Sequence, residues 1–93
     1  MAEKRVLIVE DVLSLAETYR AFLKGAGISS IIASDGKSAL DLLAKEPFDA
    51  VVLDVNLPDI SGPEVMQTMR ARGIPAEVIV ITANGSVNLA VEV

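Results

Sequence analysis

Apolar positions along the chain fall into two alternating rhythms. Four short runs rich in β-branched residues occur at Val6 to Val9, Ile28 to Ala33, Ala50 to Leu53 and Val78 to Ile81, each of strand length. Between them the apolar residues step by three and four, the period of a helix with one buried face. Leu15, Ala16, Tyr19, Phe22, Leu23 and Ala26 make one such stripe, and Ser14 with Glu17 forms a candidate capping box at its start. Gly25 and Gly27 follow that helix and so read as its terminators, since a loop that cradles phosphate must precede a helix. A second helix is predicted from about Gly36 to Lys45, with Asp35 as N-cap and Leu40 and Leu43 turned inward. A third begins with a Ser61–Glu64 capping box and Pro63 in its first turn, where a missing N–H costs nothing, and buries Val65, Met66 and Met69. A fourth helical pattern starts near Ser86 and carries Val87, Ala90 and Val91.

This βαβαβαβα alternation implies an α/β fold in which parallel strands are joined by right-handed crossovers, with helices on both faces of the sheet. The final residues, "NLAVEV", lie inside the last helical pattern without a C-cap glycine, so the domain is expected to be truncated. The length of 93 residues allows one small domain. Hydrophobic residues make up 52% of the chain and aromatics only 3%, so the core is built from Val, Ile, Leu and Ala, which suits a sheet buried on both faces.

Composition then narrows the chemistry. There is no cysteine, which excludes disulfides, thiolate metal sites and thiol nucleophiles and fits a reducing compartment. There is no histidine, which removes the usual zinc ligand and the commonest general base. The net charge of -5 opposes binding to nucleic acid phosphates or to an anionic membrane, and favours a divalent cation or a basic partner. The run "VLIV" behind "MAEKR" is too short for a signal peptide or a membrane span, so a cytoplasmic protein is expected.

Asp54 is the anomaly, a carboxylate closing an apolar strand. In an open α/β sheet, sites form beyond the carboxyl ends of the strands, where the strand order reverses. Glu10 and Asp11 follow the first strand directly, so all three acids meet if the first and third strands are neighbours. Two carboxylates about 5 Å apart repel by roughly 3 kcal/mol at an effective dielectric near 20, and a hard cation would relieve that. Mg²⁺ suits one or two carboxylates with a carbonyl, waters and a phosphate oxygen. Thr82 brings a hydroxyl to the same rim, with small Ala83 beside it. Any one of these residues alone reads as a turn former, an N-cap or an ordinary strand residue. Their combination points to an aspartate that accepts a phosphoryl group.

On these residues the chain resembles the receiver domains of two-component response regulators. "VLIVEDVLSLAETYRAFLKGAG" resembles the family's opening, "DAVVLDVNLPDISGPEVM" the segment around its phosphorylated aspartate, and "VIVITANGS" its fourth strand with the Thr-Ala pair. The resemblance implies a flavodoxin-like doubly wound sheet of order 2-1-3-4. It implies that Asp54 takes a phosphoryl group from a sensor histidine kinase or a phosphotransfer protein, and that Glu10, Asp11, Asp54 and the carbonyl of Asn56 hold Mg²⁺. Thr82 would be the switch hydroxyl, and Pro58 and Gly62 would shape the turn over the site. Asn56 and Asn84 lie where the family tunes phosphoryl lifetime, and an amide there is expected to orient the attacking water. "TANGSVNLAVE" further resembles receivers attached to sigma-54-dependent transcription activators, whose ATPase and DNA-binding parts this segment does not contain.

Two departures qualify the resemblance. A complete receiver has a fifth βα unit, which supplies a lysine and an aromatic residue, and this chain carries neither. Lys4 precedes the first strand, and Lys24, Lys37 and Lys45 sit near helix ends, away from the acids. Without the fifth unit the edge of the fourth strand is expected to lie uncovered and, with the neighbouring helices, to drive self-association; a strictly monomeric mass in light scattering at high concentration would count against it. The rival expectation is an interaction or dimerisation domain with an idle acidic rim. A Mg²⁺-dependent phosphatase with an aspartyl nucleophile ranks lower, because Asn56 stands where that chemistry wants a second acid.

Overall fold

The computed structural model describes residues 4–81 and the backbone of residues 87–90. In chain order the elements are β1 (Arg5–Val9), α1 (Leu13–Gly25), β2 (Ser29–Ala33), α2 (Gly36–Lys45), β3 (Ala50–Asp54), α3 (Gly62–Ala71), β4 (Glu77–Ile81) and β5 (Val87–Ala90). They form one sheet of order β2-β1-β3-β4-β5. The first four strands are parallel, in the predicted order 2-1-3-4.

Strand pleating divides the core. Leu7, Val9, Val51, Leu53 and Val78 point to one face and pack beneath α2 and α3, against Ala39, Leu40, Leu43, Val65 and Met69. Val6 and Ile8 point to the other and meet Ala16, Tyr19 and Leu23 of α1. The alternation follows from the two-residue period of a strand. Near-complete burial on both faces of β1 explains why its sequence is a continuous apolar run instead of an alternating one.

Two of the predicted caps are present. The Asp35 carboxylate accepts the Ser38 N–H at 2.7 Å, and Ser61 Oγ accepts the Glu64 N–H at 3.2 Å with Pro63 in the first turn. At α1 the expectation fails. Its N-cap is Val12, without a side-chain cap, and Ser14 lies inside the first turn, its carbonyl accepting from Thr18 Oγ1. The stripe on α1 is also narrower than the sequence implies: Ala16, Tyr19 and Leu23 reach the sheet, whereas Leu15 and Phe22 are 44% and 80% exposed. A single helix resting on a flat sheet touches it along one narrow line. Leu15 and Phe22, each one residue before a position that faces the sheet, rotate by about 100° away from it.

The fourth helical pattern is overturned. Val87–Ala90 is a strand, paired antiparallel to β4 with Ile81 opposite Val87 and Val78 opposite Ala90. A helix so short cannot offset the cost of its own nucleation, whereas pairing satisfies the row of N–H and C=O groups along β4. The edge of β4 is therefore covered, and the self-association expected through that edge is not open to β4, beyond which β5 now lies. On the α1 side, a groove of about 530 Å³ remains open along Val6, Val52 and Ile79.

Gly62 sets how closely α3 approaches the end of β3. A Cβ there would lie 2.5 Å from the Asp54 carbonyl oxygen and 3.0 Å from Val55 Cα, and backbone cannot rotate aside as a side chain can. Gly62→Ala is expected to destabilise the protein by about 2 kcal/mol, read as a lower urea midpoint at unchanged slope.

Candidate functional site

The sheet order brings the predicted acids together. Val9 of β1 lies opposite Leu53 of β3, so the residues that follow, Glu10 and Asp54, emerge side by side at the carboxyl edge. Carboxylate oxygens of Glu10, Asp11 and Asp54 all lie within 4.8 Å of one another. Glu10 is 3% exposed and Asp54 9%, while Asp11 faces solvent. Backbone contacts fix the first two: the Glu10 N–H donates to Ala33 O at the end of β2, and Glu10 Oε2 accepts the Val12 N–H at 3.1 Å. Asp54 Oδ1 accepts the Asn56 N–H at 3.1 Å.

Such crowding is electrostatically costly, and it registers on Glu10. Burial pushes its pKa up from 4.5 to about 7; the Val12 N–H opposes the rise, and the adjacent Asp54 and Asp11 carboxyl groups add to it. Tyr19 of α1 is raised as well, first by burial and then by the negative charge of Glu10 and Asp54. The ion pairs formed between Arg5 and Glu46 and between Arg20 and Glu17 leave the three acids out. A hard cation fits this donor set. Three carboxylates gathered this closely are within reach of one small ion, and Mg²⁺ prefers such oxygen donors.

The remaining predicted residues divide. Asn56 is exposed and tied to the Asp54 carboxylate through its own N–H. Ile81, the last residue of β4, lies opposite Asp54 and accepts the Val55 N–H at 3.1 Å. Thr82, Ala83 and Asn84 lie outside the described residues. Lys4 borders the groove at the amino ends of β1, β3 and β4, with Asp49 and Glu77, the end of the sheet opposite the acids.

One residue of the region escaped sequence reasoning. Asp59, in the β3–α3 loop, accepts the N–H of Gly36 at 2.8 Å and that of Lys37 at 2.9 Å. Desolvation alone would raise its pKa, but those two N–H groups, with the N–H groups of Ile60 and of Asp59 itself, outweigh it and hold the carboxyl below its ordinary value. In the sequence, an aspartate directly after Pro58 has the chemistry of an ordinary turn residue, and nothing local marks a partner in α2.

Comparison with known proteins places this arrangement in a family context. The family description "Response regulator receiver domain" matches residues 6–93. The response regulator MprA of Mycolicibacterium vanbaalenii is 42% identical over 84 residues, covering 90% of this chain and 36% of MprA. The regulatory protein LuxO of Vibrio vulnificus is 38% identical over 85 residues, covering 91% of this chain and 19% of LuxO. The chain thus spans about a third or less of the length of these curated relatives. Among solved structures, the signal receiver domain of a putative LuxO repressor protein from Vibrio parahaemolyticus superposes with a TM-score of 0.85 at 34% identity, over 91% of this chain and 65% of that one. The response regulator TrrA of Thermotoga maritima, solved in complex with Mg²⁺-BeF, gives a TM-score of 0.82 at 34% identity, over 86% and 70%.

Proposed function

Because this chain belongs to the response regulator receiver domain family, whose standard role in two-component signalling is that of phosphoacceptor, we propose that Asp54 is the residue that accepts the phosphoryl group. The observation that carries this proposal is the convergence of the Glu10, Asp11 and Asp54 carboxylates at one edge of the sheet. In the proposed reaction an Asp54 carboxylate oxygen attacks phosphorus, the phosphorus–nitrogen bond of a partner's phosphohistidine breaks, and its electron pair leaves with the imidazole. Mg²⁺ bound by Glu10, Asp11, Asp54 and the Asn56 carbonyl would offset the charge gathered on the acids and the phosphoryl oxygens. The Asn56 N–H keeps the acceptor carboxylate in one rotation, which lowers the cost of orienting it for in-line attack. Thr82 serves as the switch hydroxyl.

The partner is a sensor histidine kinase or a phosphotransfer protein, met in the cytoplasm. With a net charge of -5, the segment itself does not bind nucleic acid. Transcription regulation belongs to the longer protein it would serve, a reading supported by the similarity to MprA and LuxO. Among the described residues, no helix is long and apolar enough to cross a membrane. Self-association, with β4 covered, is reassigned to the helices and to the open groove beside α1.

The test is the intact mass after incubation with a small-molecule phosphodonor. A single phosphoryl increment that requires Mg²⁺ and disappears with a chelator is expected. No increment in folded protein would move the interaction-domain reading ahead.

A further inference from the structure

The β3–α3 loop, residues 55–61, is tied down at both ends. At its start the Val55 N–H donates to Ile81 O and the Asn56 N–H to Asp54 Oδ1; at its end the Gly62 N–H donates to Val55 O at 2.9 Å. Its middle is held by a different element. Asp59 is exposed, so its carboxylate could be satisfied by water, yet its two oxygens divide between consecutive N–H groups of α2, Oδ1 taking Gly36 and Oδ2 taking Lys37. Helix α2 already has its own cap, Asp35, which serves Ser38. The first three N–H groups of the helix are thus shared between a local carboxylate and one 22 residues or more away in sequence.

Shape reinforces the hydrogen bonds. A Cβ on Gly36 would run into the side chain of Ile60, next to Asp59, and press on Val65. Ile60 therefore seats where only a glycine leaves room. Topology gives the contact its meaning. In the order β2-β1-β3, α2 starts beyond β2 and the loop starts beyond β3, so a bond between them spans the end of β1, where Glu10 and Asp11 emerge.

We infer that Asp59 and Ile60, seated on Gly36 and Lys37, form a latch that holds the β3–α3 loop over the acidic rim, which makes Asp59 a positioning residue for Asp54 and Asn56. Its functional consequence rests on the phosphoacceptor role proposed above; its geometry does not. Breaking the latch leaves the loop held by the hydrogen bonds at its ends and by Leu57 packed on the core, and the Asn56 backbone, one of the proposed metal ligands, loses part of its fixed placement.

The experiment compares Asp59→Ala with Asp35→Ala, which removes the other cap of the same helix without touching the loop. Amide hydrogen exchange on metal-free protein is read at Asn56 and Gly62, followed by titration with Mg²⁺ through the amide shifts. Asp59→Ala is expected to speed exchange at both amides by about tenfold and to weaken Mg²⁺ binding by about tenfold, with Asp35→Ala close to wild type in both. Asp59→Asn, which keeps one acceptor oxygen, decides the matter at smaller amplitude if the alanine variant does not fold. Wild-type exchange in both Asp59 variants, or equal changes in Asp59→Ala and Asp35→Ala, would overturn the latch. If the wild type takes up neither Mg²⁺ nor a phosphoryl group, the proposed function fails while the exchange data still decide the latch.

Discussion

Asp54→Asn is expected to abolish phosphoryl uptake, by more than about a thousandfold, while leaving the protein folded. An amide oxygen of the same size can still accept the Asn56 N–H that now binds Asp54 Oδ1, so the loop keeps its anchor. What disappears is the nucleophile, because a neutral amide is a far weaker donor toward phosphorus than a carboxylate. Removing that negative charge also relieves Glu10, whose pKa is raised in part by Asp54. A like-charge pair in such a site is worth roughly 3 kcal/mol at about 5 Å and an effective dielectric near 20. Metal-free Asp54→Asn should therefore melt no lower than the wild type at neutral pH. Mass spectrometry and thermal melting on the same preparation check both halves, and a variant that loses uptake by unfolding would leave the role of Asp54 unsupported.

Stability of the metal-free protein is expected to fall as pH rises through neutrality. Glu10 titrates near 4.5 in the unfolded chain and at about 7 in the fold, so between those values the folded state binds more protons. The contribution is complete below about pH 4.5 and is lost as pH climbs past 7, by up to about 3 kcal/mol. Mg²⁺ acts in the opposite sense: it binds the ionised carboxylates, so its stabilisation grows with pH, reaching about 2.7 kcal/mol at a hundredfold excess over Kd. Urea unfolding across this range, with Mg²⁺ and with chelator, measures both slopes. Glu10→Gln should flatten the metal-free profile; a wild-type profile that rises from pH 5 to pH 8 without metal would refute this account of Glu10.

The parts of the fold that could be read in advance share a physical reason: their signals are local. Asp35 before Gly36, and Ser61 three residues before Glu64, bond to N–H groups within one helical turn. The run at Val6 is apolar throughout because β1 is buried on both faces, while those at Ala50 and Val78 bury Val51, Leu53 and Val78 on one face and leave Val52 and Ile79 half-buried on the other. The site was legible through the same logic, since Glu10 follows β1 directly, Asp54 closes β3, and adjacency of β1 with β3 is all that was needed to join them. Where the outcome depended on distant neighbours, local pattern misled. Phe22 has the spacing of a core residue, but among the described residues no element covers its side of α1, and it is 80% exposed. Val87–Ala90 has a helical spacing, but β4 beside it offers a row of hydrogen-bonding groups that decides for a strand. The Asp59 contact joins residues 23 apart, and no periodicity marks such a pair.

Chemical trapping at the acceptor tests the central claim most directly. After exposure to a small-molecule phosphodonor with Mg²⁺, borohydride reduces an aspartyl phosphate to homoserine, which tandem mass spectrometry locates on the chain. Homoserine at position 54, absent when the metal is chelated, is the predicted result. Unmodified Asp54 in protein that is folded and metal-bound, or homoserine at Asp11 instead, would contradict it.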